Sequence, residues 1–145
     1  MPPTVIVTRP AAQAEAFASA IMQRCAGACD VISAPLIEIV HLPVTQDTDA
    51  VTDIILTSAN GVTAAAELNL AHVLRAWCVG PKTSAMAQTL GVETIQGPGD
   101  ASGLLARILE GKPQGIFAHI RGRHARGDSC AGLNAGGVEC RTVIA

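Results

Sequence analysis

The chain has 145 residues, 49% apolar and 15% charged, with a formal net charge of -2. That balance excludes a disordered tail and supports a real core, while the length allows one domain, or one domain and part of another, at roughly 100–150 residues each. So small a net charge also excludes a global basic field for nucleic acid, so an anionic ligand must be held by a local site.

Aromatic side chains are limited to Phe17, Trp77 and Phe117. The core must therefore come from Ala, Val, Ile and Leu, and base-stacking platforms are not expected. Cys25, Cys29, Cys78, Cys130 and Cys140 form no Cys-x-x-Cys pair and have no histidine at zinc spacing, so reduced structural thiols are expected. The N-terminus lacks the features of a secretory signal, and no apolar run reaches the roughly 20 residues that span a bilayer. A cytoplasmic protein without membrane or nucleic-acid partners is expected.

In chain order, Thr4-Val5-Ile6-Val7-Thr8 reads as a buried parallel strand, and residues 11–25 as an amphipathic helix with Ala14, Phe17, Ala18, Ile21 and Met22 on one face. Residues 30–35 form a second strand and residues 36–40 a further extended segment. A polar, turn-prone patch at 43–49 is the best linker. Then follow strand 53–57, helix 62–68, strand 77–80, a helix opened by Pro81, strand 92–95, a helix capped by Asp100 or Ser102, strand 115–120, helix 126–135 and strand 137–144. The alternation predicts an α/β fold with a mostly parallel sheet, and Ile54, Leu56, Val79, Ile116 and Ile120 are expected in its core.

In such sheets ligands sit beyond the carboxyl ends of strands, where helix N-termini present unpaired N–H groups. Three turns qualify. Thr57-Ser58-Ala59-Asn60-Gly61 offers closely approachable amides and the Ser58 and Asn60 side chains. Val79-Gly80-Pro81-Lys82-Thr83-Ser84 adds a cation and a hydroxyl. The third, from His119 through Arg121, Arg123 and His124 to Arg126 and Gly127, concentrates basic groups. Read alone, the first is a helix cap, Lys82 a surface lysine and the basic cluster a solvated face. Their shared place on successive strand-to-helix turns predicts one cleft suited to a polycarboxylate. Dinucleotide, P-loop and nucleophile-elbow motifs are absent, and no histidine is set with carboxylates at metal spacing, so neither metal nor nucleotide is expected.

At these residues the chain resembles the uroporphyrinogen-III synthase family. The resemblance rests on Val7-Thr8-Arg9-Pro10, Ala34-Pro35-Leu36-Ile37-Glu38-Ile39, Ile55-Leu56-Thr57-Ser58-Ala59-Asn60-Gly61-Val62, Cys78-Val79-Gly80-Pro81-Lys82-Thr83 and His119-Ile120-Arg121-Gly122, in the family's order and approximate spacing. It implies a HemD-like, flavodoxin-like fold: parallel sheet, helices on both faces, two domains, the first built from both ends of the chain. Residues 1–38 would be the opening βαβ portion of domain one, 39–45 a linker, 46–140 domain two, and 141–145 the start of a return linker. The remainder of domain one would be missing.

The resemblance further implies a lyase of haem biosynthesis, which cyclises hydroxymethylbilane to uroporphyrinogen III with inversion of the last pyrrole ring, without cofactor or metal. Arg9, Ser58, Ala59, Asn60, Lys82, Thr83 and Arg121 are the implied substrate-binding residues. The family's tyrosine near the cleft is absent, so no catalytic residue is assigned, and the chain is expected to be a weakly active or inactive fragment. A monomer is expected, with self-association possible through the Val5-Ile6-Val7 edge. The competing reading is a non-catalytic ligand-binding or regulatory domain of flavodoxin-like form.

Overall fold

A computed structural model describes residues 1–125 and 127–145. The chain divides into two compact units, Met1–Val40 and His41–Ala145.

In the first unit, β1 (Thr4–Val7), α1 (Ala11–Cys25) and β2 (Asp30–Ser33) form a βαβ motif whose strands pair in parallel, Val5 opposite Val31 and Ile6 opposite Ile32. Pro10 sets the extended backbone before α1, and Ala26 ends it in the left-handed region at φ 43°. The helix covers one face of the pair, burying Val7 and Ala14, while Ile6 remains 61% exposed. Residues 36–40, expected to be extended and partly alternating, form no strand: their one backbone bond to the motif is Leu36 N–H to the Thr8 carbonyl.

The second unit contains β3 (Asp53–Leu56), α2 (Ala59–Ala66), β4 (Arg75–Cys78), α3 (Pro81–Ala87), a 3-10 turn at Gln88–Leu90, β5 (Glu93–Gln96), α4 (Ala101–Gly111), β6 (Phe117–Arg121), α5 (Ser129–Ala135) and β7 (Cys140–Ile144). All five strands are parallel in the order β5-β4-β3-β6-β7. The expected layering and strand direction are present. Counted from β3 the order is 3-2-1-4-5, whereas flavodoxin itself runs 2-1-3-4-5. The helix expected from residue 126 begins at Ser129, capped by the Asp128 carboxylate, and Arg126 lies outside the described residues. The strand expected at 137–144 is β7, which takes in residues 141–144.

Strand alternation sorts the side chains into two layers. Ile54, Leu56, Ala76, Cys78, Ala118 and Ile120 pack with Val62, Ala65 and Ala87 of α2 and α3. Ile55, Trp77, Phe117 and Cys140 pack with Leu104, Ile108 and Leu133 of α4 and α5. Val79 and Ile116, expected in the core, are only half-buried because they lie just outside β4 and β6. A second correction concerns the thiols: Cys130 and Cys140 are joined as a disulfide, where α5 folds back beside β7. The Asn134 amide reinforces that fold-back, with Nδ2 donating to the Cys140 carbonyl and Oδ1 accepting its N–H, both at 2.9 Å.

At the amino edge of the sheet, Asp53 is a carboxylate with no solvent exposure. Its Oδ1 accepts from Trp77 Nε1 at 2.8 Å and lies 2.7 Å from Arg75 Nε. Its Oδ2 accepts from Thr52 Oγ1 at 2.8 Å and Arg75 Nη2 at 3.0 Å. The same Thr52 oxygen accepts the Ile116 N–H, and Arg75 Nη2 also donates to the Gln114 carbonyl, so β3, β4 and the approach to β6 share one network. Gly115 passes beside it at φ 134°, where a Cβ would overlap Thr52 Oγ1 and come within 3.0 Å of Asp53 Oδ2.

Removing one partner of a buried ion pair strands the other, at a cost of roughly 3–5 kcal/mol. Asp53→Ala is therefore expected to lower the unfolding free energy of this unit by about 3 kcal/mol or more in urea melts followed by circular dichroism. Hydrogen exchange should also show the Val5 to Val7 amides opening far faster than those of Ile54 to Leu56, because β1 has one neighbour and β3 two.

Candidate functional site

Parallel strands bring the strand-to-helix turns of the second unit to one edge of its sheet. β3 is central, so the turn beginning at Thr57 lies between the turns that follow β4 and β6. From β3 the chain passes to α2 on one face, and from β6 to α5 on the other. The connections diverge beyond Leu56 and Ile120, which makes this the topological switch point, the place where such sheets bind ligands.

Ser58 is the N-cap of α2, and its Oγ accepts the Gly61 N–H at 3.2 Å. That satisfies one of the helix's orphan donors and fixes the first turn. Ala59 and Asn60 open the helix, Ala59 exposed and Asn60 half-buried. A Cβ on Gly61 would lie 3.0 Å from the Ile120 carbonyl oxygen, so this turn rests directly on the end of β6. Only a glycine permits that approach without displacing backbone.

α3 begins with Pro81, followed by exposed Lys82 and buried Thr83. Ser58, Lys82 and Thr83 therefore open neighbouring helices of one layer at the same edge. Arg121 ends β6 on the opposite face, with Phe117 and His119. Its Nη1 donates to the carbonyls of Gly122 at 3.1 Å and Arg123 at 3.4 Å, so the guanidinium braces its own loop. Arg9 belongs to the first unit, where its guanidinium carbon lies 4.1 Å from the centre of the Phe17 ring. Arg123 and His124 are exposed.

His119, read as the start of the basic third turn, is instead buried, with Nε2 3.3 Å from Thr57 Oγ1 on the adjacent strand end. Its Nδ1, like Arg121 Nε, is buried without a hydrogen-bond partner among the described residues. A histidine inside an otherwise apolar strand was the available signal; its partner is 62 positions away. Elsewhere, burial pushes the Cys78 thiol up to about 11, which leaves it protonated and unreactive. No group of three metal-ligating side chains occurs among the described residues.

Burial, with the Arg121 charge adding to it and Asp128 opposing, lowers the His119 imidazole from 6.5 to about 4. The folded state therefore resists a proton that the unfolded chain accepts, so the contribution to stability is complete above 6.5 and is lost as pH falls toward 4. Its size is on the order of 3 kcal/mol. Denaturant melts between pH 7 and pH 4 are expected to show this acid loss in the native chain and its absence in His119→Gln.

No curated protein matches the chain. The crystal structure of uroporphyrinogen-III synthetase from Helicobacter pylori matches with a TM-score of 0.63 and 16% sequence identity, over 99% of this chain and 60% of that one. The likeness concerns the fold, and the chain spans about 60% of that relative's length. The family model of uroporphyrinogen-III synthase HemD matches residues 15–145, which takes in β2 and the whole second unit, and the chain belongs to that family.

Proposed function

We propose that this chain carries the tetrapyrrole-gripping part of a uroporphyrinogen-III synthase. The reaction is cyclisation of hydroxymethylbilane: loss of the terminal hydroxyl gives an azafulvene cation, and the last pyrrole inverts through a spiro intermediate before closure. No cofactor enters this scheme. The protein's task is to hold a flexible octacarboxylate so that inverted closure outruns spontaneous symmetric closure. The supporting observation is the topological switch point, where the first turn of α2, Lys82, Thr83 and Arg121 share one sheet edge in a chain of this family.

In this reading Ser58, Thr83 and the amides of Ala59 and Asn60 take substrate carboxylates and Lys82 and Arg121 add charge, while Arg9 is the first unit's own candidate for a carboxylate. Residues 46–140 correspond to the second domain and 1–38 to part of the first. We place the protein in the cytoplasm as a monomer, with the open β1 edge as the contact through which copies would associate; no described helix is long and apolar enough to cross a membrane.

Calorimetric titration with methylbilane, a linear octacarboxylate that lacks the leaving hydroxyl, tests the grip. Ser58→Ala and Thr83→Ala should each weaken binding by roughly 2–10-fold, the worth of one hydrogen bond. Absence of binding by the native chain would overturn the reading. With hydroxymethylbilane itself, type III ring in excess of type I marks enzymic closure, whereas binding with only type I product identifies the non-catalytic module.

A further inference from the structure

Thr57, in the turn after β3, is paired with His119 of β6. Thr57 and His119 point from adjacent strands to the same sheet face, because Ile55 and His119 are register partners and Thr57 lies two residues beyond Ile55. Thr57, one residue beyond the last ladder residue of β3 and one before the α2 cap, has its Oγ1 3.3 Å from Nε2 of His119 within β6. The ring is enclosed, at 4% exposure.

The tautomer follows from which ring nitrogen lacks a partner among the described residues. That nitrogen is the buried Nδ1, and an orphaned buried N–H is rarer and costlier than an orphaned acceptor. The proton therefore belongs on Nε2, which donates to Thr57 Oγ1. That bond occupies an oxygen lone pair of Thr57 and directs its hydroxyl proton away from the ring. The acceptor it can meet is at the carboxyl edge, beside the first turn of α2, which the Gly61 contact holds on the end of β6. A cationic ring would lose nothing in this bond, but burial and the nearby Arg121 charge keep the imidazole neutral at physiological pH.

We propose that His119 is a positioning residue for substrate binding, acting through Thr57 by orienting its hydroxyl as a donor to a substrate carboxylate at the α2 N-terminus. This rests on the polycarboxylate reading of the switch point and adds to it a specific donor and the residue that aims it.

A double-mutant cycle with methylbilane as the probe, each variant first checked for cooperative unfolding, provides the test. His119→Leu should weaken binding roughly tenfold and Thr57→Val by a similar factor, as expected for one well-placed hydrogen bond. In the Thr57→Val background, His119→Leu should cost nothing more, and His119→Gln, whose amide nitrogen can still donate to Thr57, should restore binding to within about threefold of the native chain. Native-like binding by His119→Leu, or an equal loss in both Thr57 backgrounds, would overturn the inference while leaving the switch-point reading intact. If the native chain binds no methylbilane, the switch-point reading fails and takes the inference with it.

Discussion

A carboxylate with no solvent exposure at the start of the central strand is the constraint around which the second unit is arranged. A buried charge is tolerated only when its hydrogen-bonding capacity is filled, and Asp53 fills it with Thr52, Arg75 and Trp77. Those partners come from β4 and from the residue before β3, and Thr52 and Arg75 also hold the backbone that leads into β6. A one-residue slip of any of these strands would turn its side chains to the other face and leave the carboxylate unpaired. The charge thus contributes register more than net stability, since buried pairs of this kind seldom outperform an apolar replacement.

The two edges of the sheet are consequently different in kind. At the amino edge the Asp53 carboxylate is filled within the fold, with Arg75 Nε ion-paired to it at 2.7 Å but making no hydrogen bond among the described residues, and Gly115 closes the space around them. At the carboxyl edge His119 Nδ1 and Arg121 Nε are left without partners among the described residues, and a helix N-terminus lies against the end of β6. Rigidity at one end supports incomplete satisfaction at the other, the arrangement a binding site needs if its donors are to stay aimed without a ligand.

The α/β alternation was readable because strands such as Asp53-Ile54-Ile55-Leu56 are short continuous apolar runs and the helices carry local start signals. Of the two cap candidates before α4, the structure uses Asp100, whose Oδ1 accepts the Gly103 N–H at 2.8 Å. Residues 36–40 read as an extended exit from the βαβ motif, and they pair with no strand of it. The three strand-to-helix turns were also legible. Their distribution over two sheet faces was not, because it depends on the crossover from β5 to β6. The Asp53–Trp77, Thr57–His119 and Cys130–Cys140 contacts join positions distant in sequence or on different elements, and no local periodicity encodes them.

Trp77 is the chain's single tryptophan, and there is no tyrosine. Its indole is hydrogen-bonded to Asp53 and lies with ring centroids 6.0 Å from Phe117, inside the second unit. Met1–Val40 contains neither residue, so it is optically silent at the red edge of protein absorption. The emission of this protein therefore monitors the amino edge of one sheet and nothing else. The unfolding of the βαβ motif must be followed by a backbone probe, and any gap between the two signals measures how far the units melt apart.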